Sequence, residues 1–251
     1  MIYVVPSLKA KEKLQCEGKA WAESQGFTYV PRGKRTIQDL MDEYGEDFLV
    51  YSSRGPQIDR PEGSHFFSLN MAELRIQNLR KGQRDHLLEA LMGRGSSKLP
   101  ITVLDCTCGF GADAAVASFG LPTGSRVDAL EVSPLLEAVT SWGFSHFVHK
   151  KDDVTAALRR ISLRHGDYRD YLLSDEGPVY DVLYFDPMFQ RPVEASCQFQ
   201  PVRAIMEHGG LTRDLIERAL QKARRRVVIK ERDFRQLCRD FPEVTLYGGK
   251  Y

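Results

Sequence analysis

Residues 103–114 read VLDCTCGFGADA, a short apolar run that ends in Asp105 and continues into a loop of small residues. Gly109 and Gly111 lack a Cβ atom, so the backbone can turn sharply there and a ligand can approach it closely. In an open parallel sheet, ligands bind at the carboxyl ends of the strands, where such loops lie. The stretch therefore predicts both a fold class and the position of a binding site.

The chain from residue 96 to 251 alternates strand and helix patterns. ITVLDC, RVDALEVS, VYDVLYFDP and RRVVIKE are typical of buried strands, and TAALRRISLRHGD predicts a helix followed by a short strand. DAAVASFG, PLLEAVTSWGFSHF and LTRDLIERALQKA have helical spacing. This alternation predicts an α/β fold with a doubly wound, mostly parallel sheet, and FRQLCRDFPEVTLYGG predicts a last helix and strand.

Residues 1–95 have a different organisation. IYVVPS, FTYVPR, DFLVYSS and HFFSLN predict short strands, and two helical patterns that end at glycine lie between them. A longer helix is expected from Asn70 to Met92, with Gly82 as a weak point in its middle. GRGSSKLP, at residues 93–100, predicts a loop and a domain boundary. We therefore expect a small N-terminal α/β domain over residues 1–95.

Composition narrows the class of protein. Hydrophobic residues make up 42% of the 251 residues, and the net charge is +1, so any surface for nucleic acid must be a local basic cluster. Five cysteines without paired spacing indicate a reducing compartment, and Cys106 and Cys108 lack the partners of a zinc site. No apolar run has the length of a signal peptide or a membrane span. These features predict a cytoplasmic protein without a metal or a membrane partner.

The glycine loop has the spacing of an adenosine-cofactor site. Gly109-x-Gly111-x-x-Ala114 matches the GxGxxA form of the dinucleotide fingerprint, which alone is a weak signal. Glu131 stands twenty residues beyond Gly111, at the end of the second strand, where a carboxylate can bind a ribose diol. The combination predicts a cofactor that contains adenosine.

Two acids beside the loop indicate which cofactor. A dinucleotide places its pyrophosphate at the helix N-terminus, but Asp105 precedes the glycines and Asp113 lies in the first helical turn. Negative charge disfavours pyrophosphate and favours an ammonium or sulfonium group. The acids therefore favour S-adenosyl-L-methionine (SAM) over NAD. Asp113 is equally explained as a helix-dipole residue, whereas a role as a turn former explains Asp105 less well.

A second motif follows the strand VLYF. Asp186-Pro187-Met188-Phe189 resembles the D-P-P-Y motif of methyltransferases that act on exocyclic amines. Proline fixes a turn, an acceptor can hold the N–H of the amine, and an aromatic ring can stack on a base. The alternative is a turn at a strand end with a core phenylalanine.

Several stretches in this order carry a family resemblance: VLDCTCGFGADA, LEVSP, HGDYRDYL, YFDPMF and VVIKERDF. They resemble the Class I SAM-dependent methyltransferases, and more narrowly the 16S ribosomal RNA guanine-N2 methyltransferases called RsmJ. That family carries a D-A-T-A-G-x-G-x-D-A loop and a Y-L-D-P-M-F motif, and DPMF in place of the commoner DPPY is the most specific shared point. The resemblance covers residues 69–235.

The resemblance implies a SAM-dependent N-methyltransferase whose partner is ribosomal RNA or the small ribosomal subunit. The implied cofactor-binding residues are Asp105, Thr107, Gly109, Gly111, Ala112, Asp113, Glu131, Val132, Asp167, Tyr168 and Asp186. The implied catalytic clamp is Asp186, Pro187, Met188 and Phe189. The implied RNA contacts are Arg75, Arg80, Lys81 and Arg84, which lie in a helix similar to a basic segment of the family. These four residues are equally explained as ordinary solvated charges. Lys230, at the end of the fifth strand, is a further candidate RNA contact.

The sequence departs from the family pattern at several positions. Cys106 and Cys108 replace alanines, and Ala112 stands where the family often has arginine. Residues 1–65 do not match the family, and the chain ends at LYGGKY, where a Class I sheet usually adds a seventh strand. These departures bear on the RNA target more than on the cofactor.

Three alternatives stay open at the level of sequence. The substrate could be a DNA amine, a protein or a small molecule. The glycine loop could serve an NAD(P)-dependent oxidoreductase, which would bind NAD and not SAM. A protein that binds RNA without catalysis could use the same scaffold, in which case loss of the Asp186 carboxylate would leave its role intact.

Overall fold

The computed structural model describes residues 1–93, 99–187 and 210–248. Within these residues the chain divides into two compact units. The first unit holds Met1–Ser68 and Ser133–Phe147, and the second holds Leu69–Val132 together with the described residues from Val148 onward. Each unit contains one five-stranded sheet.

The sheet of the first unit has the order β2-β1-β3-β4-β5. Its strands are β1 (Tyr3–Pro6), β2 (Thr28–Tyr29), β3 (Phe48–Ser52), β4 (Gly55–Arg60) and β5 (Gly63–Phe66). The first three are mutually parallel, while β4 and β5 are antiparallel to their neighbours. The sequence patterns did not predict β4, because GPQIDR is polar and contains proline although every one of its residues is buried.

Among the described residues, the first unit has three helices: α1 (Glu12–Ser24), α2 (Ile37–Tyr44) and α6 (Pro134–His146). A capping box starts α2, since Thr36 and Asp39 exchange side-chain and backbone hydrogen bonds. Gly143 is required in α6, because a Cβ there would lie 1.9 Å from the ring of Phe67.

Two helices open the second unit, α3 (Asn70–Arg80) and α4 (His86–Met92). The prediction of one helix from Asn70 to Met92 is therefore wrong. The chain leaves the helical path at Gly82, whose φ is 75°, and Asp85 starts α4 by accepting hydrogen bonds from the N–H groups of Leu87 and Leu88. Gly82, which weakened the helical pattern of residues 70–92, thus lies where the chain leaves α3.

The sheet of the second unit is parallel throughout and has the order β10-β9-β6-β7-β8. Its strands are β6 (Thr102–Asp105), β7 (Arg126–Glu131), β8 (Ile161–His165), β9 (Val182–Phe185) and β10 (Arg226–Ile229). The chain runs from β6 outward to β8, then returns to the other side of β6. The order therefore reverses between β6 and β9, which is where such sheets bind ligands. The predicted fold class is confirmed.

The remaining helices are α5 (Ala112–Gly120), α7 (Asp152–Arg159), α8 (Tyr168–Leu173), α9 (Arg213–Lys222) and α10 (Arg235–Asp240). One core cluster packs β6, β7 and β9 against α8 and α9, with Leu104, Leu183 and Phe185 fully buried. The strand predicted after the last helix is absent from residues 241–248, and no helix of the described chain is long and apolar enough to cross a membrane.

Candidate active site

The glycine loop follows β6 at the point where the strand order reverses. Gly109 and Gly111 have φ angles of 53° and 75°, in the left-handed region that favours glycine. Gly111 is the residue that starts α5, and its N–H donates to the carbonyl of Cys108 at 2.9 Å. Both glycines are therefore needed to bring the chain from the sheet into the helix within a few residues.

Glu131 fastens this loop to the end of β7. Its Oε2 atom accepts a hydrogen bond from the N–H of Gly109 at 2.8 Å, and the N–H of Cys108 donates to the carbonyl of Leu130 at 2.9 Å. The acid that the sequence placed twenty residues beyond Gly111 thus lies against the loop. Its side chain is buried beside the backbone that a cofactor would contact.

Asp105 lies at the end of β6, beneath the loop. Its side chain is buried, and Oδ1 accepts a hydrogen bond from the N–H of Thr107 at 3.1 Å. Burial and the nearby carboxylate of Asp113 raise the pKa of Asp105 well above its ordinary value. Asp105 therefore shapes the turn, and its environment favours the protonated carboxyl.

Thr107 joins the glycine loop to the second motif. Its Oγ1 atom accepts a hydrogen bond from the N–H of Asp186 at 2.7 Å, and the N–H of Cys106 donates to the carbonyl of Tyr184 at 2.8 Å. Asp186 and Pro187 follow β9 directly and are partly buried. Burial raises the pKa of Asp186, while the neighbouring ammonium of Lys230 lowers it. Met188 and Phe189 lie outside the described residues.

Asp113 is the most heavily bonded acid of the site. Its Oδ2 atom accepts from the Tyr184 hydroxyl at 2.7 Å and from the Lys230 ammonium at 2.9 Å, while Oδ1 accepts from the guanidinium of Arg75. Burial acts to raise the pKa of Asp113, but Lys230 and Arg75 outweigh it and lower that pKa. Lys230 and Arg75 therefore compensate the negative charge of Asp113, which we expected from the sequence to face the cofactor.

The other predicted cofactor residues lie at the ends of β7 and β8. The carbonyl of Val132 accepts a hydrogen bond from Nε2 of His165 at 2.9 Å. Asp167 starts α8 by accepting from the N–H of Arg169 at 2.7 Å, and it also pairs with the guanidinium of that residue. Tyr168 is buried, with its ring packed edge-on against Phe185. Ala112 is the first residue of α5.

The predicted RNA-contacting residues fall into two groups. Arg75 and Arg80 are engaged within the protein, Arg75 with Asp85 and Asp113, and Arg80 with Asp153. Lys81 and Arg84 are exposed, and 89% of the Arg84 side chain is accessible although its Nε lies 3.6 Å from Glu89. Of these four residues, Arg75 is half-buried, whereas Arg80, Lys81 and Arg84 are exposed.

Sequence reasoning missed Tyr184 and Asp85. A signal for Tyr184 was present, because residues two apart on a strand point to the same face, and Tyr184 stands two before Asp186. Asp85 had no comparable signal, since its bidentate pair with Arg75 depends on the turn at Gly82. No cluster of three or more metal-ligating side chains occurs in the described ranges.

The residues present fit SAM. A Cβ at Gly109 would have the Thr107 carbonyl, at 3.9 Å, as its nearest neighbour among the described residues, so the loop borders open space. The Glu131 carboxylate at the end of β7 is the acceptor that a ribose diol requires, and the Asp105 carboxyl at the end of β6 keeps oxygen atoms that can accept from an ammonium group. Gly109, Gly111, Glu131 and Asp105 would hold the cofactor. When bound, SAM supplies a methyl group on a positively charged sulfur.

Comparison with known proteins identifies the family of this chain. Residues 64–247 match the model of the family described as "Putative SAM-dependent methyltransferase". A SAM-dependent methyltransferase of Neisseria gonorrhoeae has the same fold, with a TM-score of 0.56 and 17% identity over 90% of this chain and 83% of that one. The site and fold define a SAM-dependent methyltransferase of the Class I, Rossmann-like architecture.

The chain belongs to that SAM-dependent methyltransferase family. It is 29% identical to the uncharacterized protein YpiP of Bacillus subtilis over 91% of this chain and 88% of that protein. It is 28% identical to the ribosomal RNA small subunit methyltransferase J of Marinobacter nauticus, over 76% of this chain and 66% of that protein. SAM is therefore the cofactor, and the alternative of an NAD(P)-dependent oxidoreductase is set aside.

Proposed function

We propose that the protein methylates the exocyclic N2 amine of a guanine in small-subunit ribosomal RNA. The observation that carries the proposal is the hydrogen bond from the N–H of Asp186 to Thr107, which joins the first residue of the D-P-M-F motif to the cofactor loop. The name of the Marinobacter nauticus relative, ribosomal RNA small subunit methyltransferase J, supports the choice of RNA.

For methyl transfer, the main task of the protein is to position the substrate amine against the methyl group of SAM. The methyl group passes from sulfur to the amine nitrogen, the electrons of the broken sulfur–carbon bond stay on sulfur, and the amine gives up one proton. Asp186 would accept an N–H of the amine and orient its lone pair, which supplies much of the rate. A carboxylate whose pKa is raised by burial is also a better acceptor for the released proton.

The RNA would reach the site across the surface of the basic segment. Lys81 and Arg84 are exposed there, beyond the C-terminal end of α3, and can contact phosphate. Arg75 and Arg80 already pair with carboxylates, so their charges are compensated within the protein. We propose Lys81 and Arg84 as the phosphate contacts of the set that the sequence indicated.

Methyl incorporation tests this proposal. The protein is incubated with isotope-labelled SAM and, in parallel, with 16S ribosomal RNA, small ribosomal subunits from cells that lack the enzyme, and duplex DNA. The products are digested to nucleosides. We expect label in N2-methylguanosine from RNA or subunits. Label in another nucleoside, in DNA or in ribosomal protein would overturn the assignment of the guanine amine.

A further inference from the structure

Lys230 occupies a specific position between two acids of the site. It follows β10, and its N–H donates to the carbonyl of Phe185 at 2.8 Å, at the end of β9. Its ammonium lies 2.7 Å from Oδ2 of Asp186 and 2.9 Å from Oδ2 of Asp113. One side chain therefore bridges Asp186, directly after β9, and Asp113, in the first turn of α5.

The bridge continues on the far side of Asp113. Arg75, from α3, donates to the other carboxylate oxygen of Asp113 and forms a bidentate pair with Asp85, at 2.7 and 2.8 Å. Asp85 is in turn the cap of α4. Acids and cations thus alternate from Asp85 through Arg75, Asp113 and Lys230 to Asp186, and we call these five residues the charge chain.

We propose that Lys230 is a positioning residue for the methyl-transfer reaction: its ammonium fixes the Asp186 carboxylate against Asp113, which Arg75 and Tyr184 hold in place. This inference rests on the proposed function, because it assigns Asp186 the task of accepting an N–H of the substrate amine. It replaces the expectation that Lys230 contacts RNA phosphate. Because the Lys230 ammonium bonds Oδ2 of Asp186, it fixes the rotation of that carboxylate. The rotation of the carboxylate decides where the substrate amine can be held.

The charges that face Asp186 agree with this role. Lys230 is the cation that opposes its protonation, whereas Asp113, Glu231 and the nearby Asp105 favour it. Tyr184, which donates to Asp113, lies on the same side of the site. Removal of Lys230 would take away the cation that lowers the pKa of Asp186, so that pKa would rise and the carboxylate would be protonated at higher pH.

A purely structural role explains Lys230 less well. Half of its side chain, 51%, is exposed, and ion pairs at that exposure contribute little to folding. We therefore expect the Lys230→Met variant to fold and to bind SAM within about threefold of wild type, since the loop contacts of Gly109 and Glu131 stay intact. The change should act on Asp186 and Asp113, and Asp113 keeps Arg75 and Tyr184 as partners.

The test compares Lys230→Met, Lys230→Arg and the exposed-lysine control Lys13→Met. Single-turnover methyl transfer at saturating SAM is measured against pH. We expect Lys230→Met to lower the rate by about tenfold or more at neutral pH and to shift the acidic limb to higher pH. Lys230→Arg should restore the position of that limb, and Lys13→Met should match wild type. An unchanged rate and limb in Lys230→Met, or a loss confined to the KM for RNA, would overturn the proposal.

A second readout separates this inference from the proposed function. The carboxyl carbon of Asp186, labelled with carbon-13 and assigned by comparison with Asp186→Asn, is titrated by NMR without substrate. Its midpoint should rise in Lys230→Met and return toward wild type in Lys230→Arg. If wild type transfers no methyl to RNA, the proposed function fails while the titration still decides on Lys230. An identical midpoint in wild type and Lys230→Met would refute the positioning role.

Discussion

The hydroxyl oxygen of Thr107 accepts a hydrogen bond from the backbone N–H of Asp186 at 2.7 Å. Thr107 belongs to the loop after β6, and Asp186 begins the turn after β9, so one bond crosses the point where the strand order reverses. A hydrogen bond therefore connects the cofactor loop directly to Asp186, the residue proposed to hold the amine.

Thr107→Val should separate cofactor binding from methyl transfer. Valine keeps the shape of threonine but cannot accept the hydrogen bond, and the unsatisfied N–H of Asp186 costs about 1–3 kcal/mol. We expect the turn to shift, the transfer rate to fall about tenfold or more, and the Kd for SAM to change less. Calorimetry and single-turnover rates measure the two effects. Thr107→Ser keeps the acceptor and should retain the rate, and a low rate there would show that the hydrogen bond is not responsible.

Gly111→Ala tests the conformation of the loop against a matched glycine elsewhere. Gly111 and Gly26 have φ angles of 75° and 71°, so alanine at either position costs about 1–2 kcal/mol of stability. Only Gly111 starts α5 beside the cofactor site. We expect similar losses of free energy of unfolding for both variants, but a Kd for SAM raised roughly tenfold only in Gly111→Ala. Equal SAM affinity in the two variants would argue against the loop as the cofactor cradle.

Glu131→Ala should weaken SAM binding more than any exposed acid does. The change removes the acceptor for the N–H of Gly109 and the carboxylate assigned to the ribose diol. Hydrogen bonds to charged groups contribute about 1.5–3 kcal/mol, so the Kd should rise by roughly ten- to a hundredfold. Glu23→Ala, on the surface of α1, is the control and should leave the Kd unchanged. A Kd for SAM that is nearly unchanged in Glu131→Ala would show that Glu131 does not bind the ribose diol.

Asp105→Asn should stabilise the protein at high pH. Burial and the carboxylate of Asp113 raise the pKa of Asp105 in the folded state, so folding favours its protonated form. The contribution to stability is complete below the ordinary pKa of aspartate and is lost as pH rises through the folded-state pKa. Asparagine is neutral throughout and can still accept from the N–H of Thr107.

We therefore expect Asp105→Asn to exceed wild type in free energy of unfolding by about 1 kcal/mol or more at pH 8. That gain corresponds to roughly 2–4 °C in Tm per kcal/mol and should shrink as pH falls toward 5. Urea denaturation at several pH values measures it. Asp175→Asn, at an exposed position, should show no such trend. A loss of stability at pH 8 would mean that Asp105 is held ionised in the fold.

The sequence predicted the second unit well because its signals are local. Buried parallel strands are continuous apolar runs, and Gly109 and Gly111 lie where the turn needs them. Glu131 and Asp186 were predicted at strand ends because each follows an apolar strand pattern directly. Tyr168 was predicted to flank adenine, and the structure shows its ring packed against Phe185; its role at a cofactor stays a prediction.

The features that the sequence missed depend on contacts between distant residues. Helix α3 ends near Gly82 because the chain turns to place Asp85 against Arg75, and no pattern of residues 70–92 shows that pair. The polar residues of β4 are buried in a sheet whose other strands come from elsewhere in the chain. The charge chain likewise joins residues from three helices and two strand ends, so only the fold reveals that Lys230 faces Asp186.

The central claim is that Asp186 holds the amine beside the SAM site. Single-turnover methyl transfer to small ribosomal subunits, at saturating SAM, compares wild type with Asp186→Ala. We predict that the variant binds SAM with a Kd within about threefold of wild type and transfers methyl at least about a hundredfold more slowly, because the amine is no longer positioned. An undiminished transfer rate in Asp186→Ala would contradict the account.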